Sequence, residues 1–142
     1  MSHELIFGEM HNYSASSPSD GVTLPVALST GPNSVQLTAS VDTGASFCIF
    51  ERGYGEALGL DIEAGMLTHV RTAAGMFDAY GHMLALTTLN YSFDIMVYFA
   101  KEESFMRNVL GRRGWLDHVR LGLVDYEGKL YLSKYDDATL PA

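Results

Sequence analysis

The sequence predicts an all-β protein, a small closed barrel or sandwich with one short helix near the C-terminus. Apolar residues alternate with a period of two, glycine or asparagine separates the alternating runs, and few stretches suit a helix. With 142 residues, 47% of them hydrophobic, the chain supplies one domain with one core. The predicted strands span 22–29, 34–41, 66–72, 77–89, 93–100, 119–124 and 129–133, and short helices are predicted at 52–58 and 113–118.

The first two strands read as a hairpin, because a Thr-Gly-Pro-Asn cluster separates them. Pro25 has no N–H to donate, which favours an edge position for the first strand. In the second strand the apolar residues share one face, and Asp42 is predicted to emerge at the strand end. The residues of that apolar face are Val35, Leu37, Ala39 and Val41.

Residues 1–20 are predicted to form a flexible or docking segment that precedes a domain at 21–142. The run 14–20, SASSPSD, is small and polar, as linkers are. Residues 4–10 contain Leu5, Ile6 and Phe7, enough for one short strand. This strand is expected to dock either on the body of the domain or on another subunit.

The charge balance argues against several classes of partner. Nine Lys and Arg against 17 Asp and Glu give a formal net charge of −8, which repels nucleic acid and anionic lipid headgroups. No run approaches the roughly 20 apolar residues of a membrane helix, and the first residues do not resemble a signal peptide. The lone cysteine, Cys48, cannot form an internal disulfide, so we expect a cytoplasmic protein.

No metal site or cofactor is expected from the sequence. The histidines do not show the close spacing that metal ligands favour, and no phosphate-binding glycine loop is present. They are His3, His11, His69, His82 and His118.

The stretch most informative about chemistry is Val-Asp-Thr-Gly-Ala-Ser at 41–46. An alternating strand delivers Asp42, and Gly44 is expected to permit a tight turn with unusual backbone angles. The apolar run 47–50 then carries the chain back into the core. Together these features predict a carboxylate held rigidly at the tip of a loop.

A second motif, Asn-Val-Leu-Gly-Arg at 108–112, follows far downstream and leads into the predicted C-terminal helix. With these two motifs in this order, the sequence resembles the retropepsin-like aspartic proteases, most closely the single-domain bacterial kind. The resemblance spans roughly residues 21–135. It implies the retropepsin fold and an aspartic endopeptidase that hydrolyses a polypeptide substrate.

The resemblance implies that Asp42 is the catalytic residue and that two aspartates share a proton and activate one water. Because the chain has one Asp-Thr-Gly, this chemistry requires a homodimer to which each subunit contributes Asp42. In the family the threonine bonds to its twin loop, so Thr43 is expected to lock the two loops. Gly44 is expected to let the substrate backbone approach, and Ala45 to line the cleft.

The family covers its cleft with a hairpin, or flap. The corresponding segment is 69–77, with Ala73, Ala74, Gly75 and Met76 at the expected tip. An ordinary hairpin turn is the alternative for Gly75. Arg112 is expected to be structural, bracing the helix to the loop of Asp42.

The sequence departs from the family pattern after the first motif. Viral members carry an acidic residue there that pairs with arginines and binds substrate backbone, whereas this chain has Ser46 and Phe47. This departure leaves an alternative from a different class. The chain could be a catalytically inactive peptide-binding or dimerisation module that keeps the fold but holds its aspartates apart.

Overall fold

The computed structural model describes residues 2–15, 21–72 and 75–137. The strands in this part of the chain are β1 (Glu9–Asn12), β2 (Thr23–Thr30), β3 (Asn33–Val41), β4 (Ile49–Phe50), β5 (Met66–Thr72), β6 (Gly75–Thr88), β7 (Tyr91–Ala100), β8 (Val109–Leu110), β9 (Val119–Val124) and β10 (Lys129–Lys134). The α-helix is α1 (Arg52–Ala57), and single 3₁₀ turns cover Tyr13–Ala15, Ile62–Ala64, Leu116–His118 and Asp125–Glu127. The all-β prediction is confirmed.

The larger sheet closes on itself. Its strand order is β2-β3-β8-β4-β7-β6-β5, and β2 also pairs with β6, so six strands form a ring. The fifth strand, β5, pairs with the first half of β6, outside the closed ring. The β5–β6 hairpin therefore extends from a barrel whose other strands are paired on both sides.

A smaller antiparallel sheet, in the order β1-β10-β9, packs beside the barrel. Its first strand comes from the N-terminal segment and runs antiparallel to β10. Ahead of it, the ring of Phe7 stacks against Tyr131, at 5.9 Å between centroids. The strand lies at Glu9–Asn12 and not over the predicted Leu5, Ile6 and Phe7, and it pairs with β10 of its own chain. Residues 16–20 of the predicted linker lie outside the described residues.

The core joins the two sheets. On β3, Leu37 and Ala39 are buried and alternate with exposed polar neighbours, as the period of two predicts. Burial of each large aliphatic or aromatic side chain contributes about 1.5–3 kcal/mol. The largest fully buried side chains are Trp115, Phe50, Phe99, Leu24, Leu28, Leu58, Ile62, Leu86, Leu110, Leu130 and Leu132.

The short strand β8 lies between β3 and β4. It runs parallel to β3 and antiparallel to β4, where Val109 faces Ile49. We call residues 42–46 the Asp42 turn. The residues that follow β8 run beside this turn. Arg112 N–H donates to the Ala45 carbonyl at 2.8 Å, and Arg113 N–H to the Ser46 carbonyl at 2.9 Å. Two segments distant in sequence thus form one hydrogen-bonded unit.

The C-terminal helical element is shorter than the predicted 113–118. It consists of the 3₁₀ turn Leu116–His118, because Gly114 has a φ of +105° and Arg113 instead forms a parallel bridge with Phe47. A right-handed helix cannot run through a residue with that φ.

The prediction that the strand containing Pro25 lies at a sheet edge holds for β2 at Pro25 itself but not farther along the strand. β2 pairs with β3 along its length and with β6 at Ala27–Ser29. Pro25 is tolerated because it precedes the part of β2 that pairs with β6, so its missing N–H breaks no bond there.

Substitution of Gly111 is expected to separate the two segments. A Cβ atom at this position would lie 2.2 Å from the Phe47 carbonyl oxygen, a backbone atom that cannot rotate away. Gly111→Ala should lower the free energy of unfolding by about 2 kcal/mol or more, since overpacking a rigid contact is destabilising. Urea unfolding measures the change.

Gly53→Ala is the matched control for this substitution. A Cβ atom at Gly53 meets nothing within 4 Å, and the residue lies in α1, so alanine should be neutral or stabilise by up to about 1 kcal/mol. Equal free energies of unfolding for the two alanine variants would contradict the close approach at Gly111.

Cys48 is expected to be inert in the folded protein. Its side chain is fully buried under the Arg113 carbonyl, and burial raises the pKa of the thiol to about 12. Because the thiolate is the reactive form, a disulfide reagent at about pH 8 should label the native chain negligibly. In guanidinium the unfolded chain should react with one equivalent of the reagent, because it has one cysteine. Rapid labelling of the native protein would contradict this prediction, because it would show that the packing of Cys48 against Arg113 opens in the folded state.

Candidate functional site

Asp42 stands directly after β3 on a turn whose backbone is held from two sides. Its N–H donates to the Leu110 carbonyl at 3.0 Å, and its own carbonyl accepts the Ala45 N–H at 3.2 Å. The carboxylate Oδ1 accepts the Gly44 N–H at 2.9 Å. These bonds orient the carboxylate while leaving its side chain 38% exposed, so it is rigid and still accessible.

Gly44 matters for a reason other than the one predicted. Its φ is not positive, so the expected unusual backbone angles are absent. A Cβ atom here would instead lie 3.2 Å from Asp42 Oδ1, tighter than ordinary van der Waals contact. Glycine therefore leaves room beside the carboxylate, where a larger residue would press on it.

A cavity of about 740 Å³ opens in front of Asp42, and we call it the cleft. A volume of this size is typical of ligand pockets. Apolar side chains from β4, β5, β6 and β8 form much of its wall, and charged groups interrupt them. The lining residues are Asp42, Gly44, Ala45, Ser46, Phe47, Ile49, His69, Val70, Arg71, Phe77, Phe105, Arg107 and Val109.

The β5–β6 hairpin forms one side of the cleft through its arms. Val70 faces Phe77 and His69 faces Asp78 across the hairpin, where His69 Nδ1 lies 2.6 Å from Asp78 Oδ1. The last described pair is Thr72 opposite Gly75, whose φ of +124° suits glycine.

Of the four predicted tip residues, the structure describes Gly75 and Met76. Gly75 and Met76 do not line the cleft, and the Met76 side chain is 62% exposed. Ala73 and Ala74 lie outside the described residues.

The remaining predicted residues lie around the Asp42 turn. Thr43 is exposed, whereas Ala45 is partly buried and lines the cleft. Arg112 contacts the turn through its backbone N–H, and its exposed side chain lines a second, smaller cavity beside Arg113 and Asp117. The hydrogen bond that joins Arg112 to the Asp42 turn is therefore one of its main chain.

Sequence reasoning missed several residues of the cleft. Arg107 follows β7 in a loop, and its Nη2 lies 3.7 Å from Asp42 Oδ2. Arg71 and Phe105 also line the cleft. Arg107 directly precedes the Asn-Val-Leu-Gly-Arg motif, so its nearness to the site could have been predicted from the sequence. No local pattern around it predicts that its side chain faces Asp42.

The described residues include no group of three or more His, Cys, Asp or Glu side chains arranged to hold a metal ion. In the same part of the chain, no helix has the length and apolar character needed to cross a membrane. The ionisable groups that line the cleft are the carboxylate of Asp42, the guanidinium groups of Arg71 and Arg107 and the imidazole of His69.

Comparison with known proteins places this geometry among solved folds. No protein-family model matches the sequence. No curated protein is similar to it in sequence either. A retropepsin-like aspartic protease from Rickettsia conorii superposes with a TM-score of 0.62 at 16% identity, covering 92% of this chain and 96% of that one. The EIAV protease, solved with an inhibitor, superposes with a TM-score of 0.52 at 16% identity, covering 68% of this chain and 86% of that one.

Both neighbours are proteases, the bacterial one a retropepsin-like aspartic protease, and the match to the bacterial structure extends over nearly the whole of both chains. The overall fold found here therefore matches a known architecture. The chain has the fold of the retropepsin-like aspartic proteases.

Proposed function

We propose that the chain is an aspartic endopeptidase that works as a homodimer, with Asp42 of each subunit in the active site. The observation that carries this proposal is the position of Asp42. Its carboxylate is rigidly held, accessible, and placed in a 740 Å³ cleft beside a hairpin, on a retropepsin fold.

The need for a second copy follows from counting carboxylates. Asp42 is the one carboxylate among the residues that line the cleft of the described chain. Dyad chemistry uses two, so a twofold axis must bring the Asp42 turns of two subunits together. The exposed Thr43 and Gly44 are available for such a contact. We propose that Thr43 bonds across the axis and that a monomer is inactive.

The dyad would work by sharing one proton. Two carboxylates about 3 Å apart repel by roughly 5 kcal/mol at an effective dielectric constant of about 20, so only one stays ionised. That carboxylate takes a proton from a water molecule, whose oxygen adds to the scissile carbonyl carbon. The protonated partner donates its hydrogen to the carbonyl oxygen. The first carboxyl then passes its new proton to the amide nitrogen, the ionised partner takes a proton from a hydroxyl of the tetrahedral diol, and the C–N bond breaks to give an acid and an amine.

The surroundings of Asp42 suit an extended polypeptide substrate. Gly44 leaves space beside the carboxylate, Ala45 lines the cleft wall, and the hairpin with Gly75 and Met76 near its end is proposed to close over the chain. We propose that no cofactor is needed. The single, buried Cys48 supports a cytoplasmic location, because the fold requires no disulfide.

Asp42→Asn is expected to abolish hydrolysis. The amide keeps the shape of the side chain but neither takes a proton from water nor shares one with its twin, so kcat should fall at least about a hundredfold. Digestion of an unfolded protein between about pH 4 and pH 7, followed by mass spectrometry, measures the loss.

Asp94→Asn is the matched control, since this exposed carboxylate on β7 lies outside the cleft and the substitution changes the charge equally. Its activity should equal that of the wild type. Equal cleavage by wild type and Asp42→Asn would remove Asp42 from the active site.

The oligomeric state gives an independent prediction. Activity per chain should fall on dilution in step with the loss of dimer measured by sedimentation, because each monomer holds half of the dyad. A pepstatin-type inhibitor should stabilise the dimer. A chain that stays monomeric and ignores the inhibitor would instead fit the inactive peptide-binding module.

A further inference from the structure

The cleft carries a charge opposite to that of the chain. The sequence has 17 acidic and nine Lys and Arg residues, yet two arginines, Arg71 and Arg107, line the cleft together with one acidic residue, Asp42. The remaining titratable lining group, His69, is held by Asp78 at 2.6 Å. An acidic protein thus presents a locally basic site next to its candidate catalytic carboxylate.

Neither arginine has all of its donors occupied by an ion pair among the described residues, and the one ion pair of Arg107, with Asp42, is long. Arg71 has no ion pair among the described residues, and Arg107 Nη2 stays 3.7 Å from Asp42 Oδ2, beyond the 2.7–2.9 Å of charge-assisted hydrogen bonds. Arg52 shows the contrast, because Glu56 and Glu63 both pair with it and its side chain is only 17% exposed. Arg107 is 62% exposed and keeps its donors available.

A peptide that fills the cleft displaces water from these guanidinium groups. Loss of that water is unfavourable unless an anion replaces it, so a substrate carboxylate is favoured over a neutral amide, and an ammonium group is repelled. The acidic remainder of the surface counts for less, because at physiological ionic strength charges beyond about 8 Å are screened.

We infer that the cleft selects polypeptide segments with an acidic side chain close to the scissile bond, and that Arg107 and Arg71 determine this specificity. Arg107, beside Asp42, faces the substrate residue nearest the reacting carbonyl. Arg71 lies on β5, one residue before the last described pair of the hairpin, and faces a residue farther along the extended chain. This inference rests on the proposed function.

The test uses peptides that share one apolar core and differ at a single flanking position, which carries Glu, Gln or Lys and is moved along the peptide in turn. Near pH 6 glutamate is ionised, and the best Glu peptide should exceed its Gln twin in kcat/KM by about threefold or more, with the Lys peptide lowest. Below about pH 4 the ratio of Glu to Gln should approach one, because the peptide carboxylate is then protonated while arginine keeps its charge.

Arginine variants test whether the preference for Glu comes from the cleft. Arg107→Gln and Arg71→Gln should each reduce the preference for Glu, at different positions of the peptide. Lys101→Gln removes one positive charge at an exposed residue outside the cleft and should leave the preference unchanged. Equal rates for the Glu and Gln peptides, or an equal loss of preference in Lys101→Gln, would overturn the inference.

Binding separates this inference from the proposed function. Fluorescence anisotropy of labelled Glu and Gln peptides on Asp42→Asn reports charge selection without hydrolysis. If the wild type cleaves nothing but Asp42→Asn binds the Glu peptide more tightly, the proposed function fails and the basic cleft stands. If the wild type cleaves the peptides without preference for Glu, the proposed function stands and the inference about the basic cleft fails. A chain that neither cleaves nor binds the peptides overturns both.

Discussion

The site depends on the hydrogen bonding between two segments more than 60 residues apart, the Asp42 turn and the run 110–113. The N–H of Asp42 reaches the Leu110 carbonyl, and the N–H groups of Arg112 and Arg113 reach the carbonyls of Ala45 and Ser46. Each bond contributes only about 1 kcal/mol net, yet breaking one would leave a backbone group unpaired at a higher cost. The bonds therefore hold the turn in one conformation, which is the preorganisation that a rigid carboxylate needs.

Close packing makes this junction possible. Gly111 passes so near the Phe47 carbonyl that no side chain fits between them, and Cys48 fills the space beneath. The buried side chains around the junction belong to the same core as the barrel strands. Positioning of Asp42 is therefore coupled to the stability of the whole domain, whereas β5, outside the closed ring, pairs with β6 alone among the described strands.

Charge and shape at the cleft have separate origins. The apolar wall residues of β4, β5 and β6 belong to a second, smaller hydrophobic cluster, separate from the main core. The arginines come from the hairpin and from the loop after β7, where both side chains are exposed at the surface. In the proposed function, the barrel thus fixes the Asp42 carboxylate, while Arg71 and Arg107 at the edge of the cleft determine which substrates bind.

The sequence by itself determined the local features of this protein. Alternation predicted β3 and β5–β7 to within two residues, and it placed Asp42 where a strand ends, because side-chain periodicity reports which face is buried. Only the tertiary structure decided the rest. The two-residue strands β4 and β8 are too short to show a period, and they exist because their neighbours supply hydrogen bonds. The true role of Gly44, the position of Pro25 and the presence of Arg71 and Arg107 beside Asp42 likewise depend on contacts between distant segments, which no local pattern encodes.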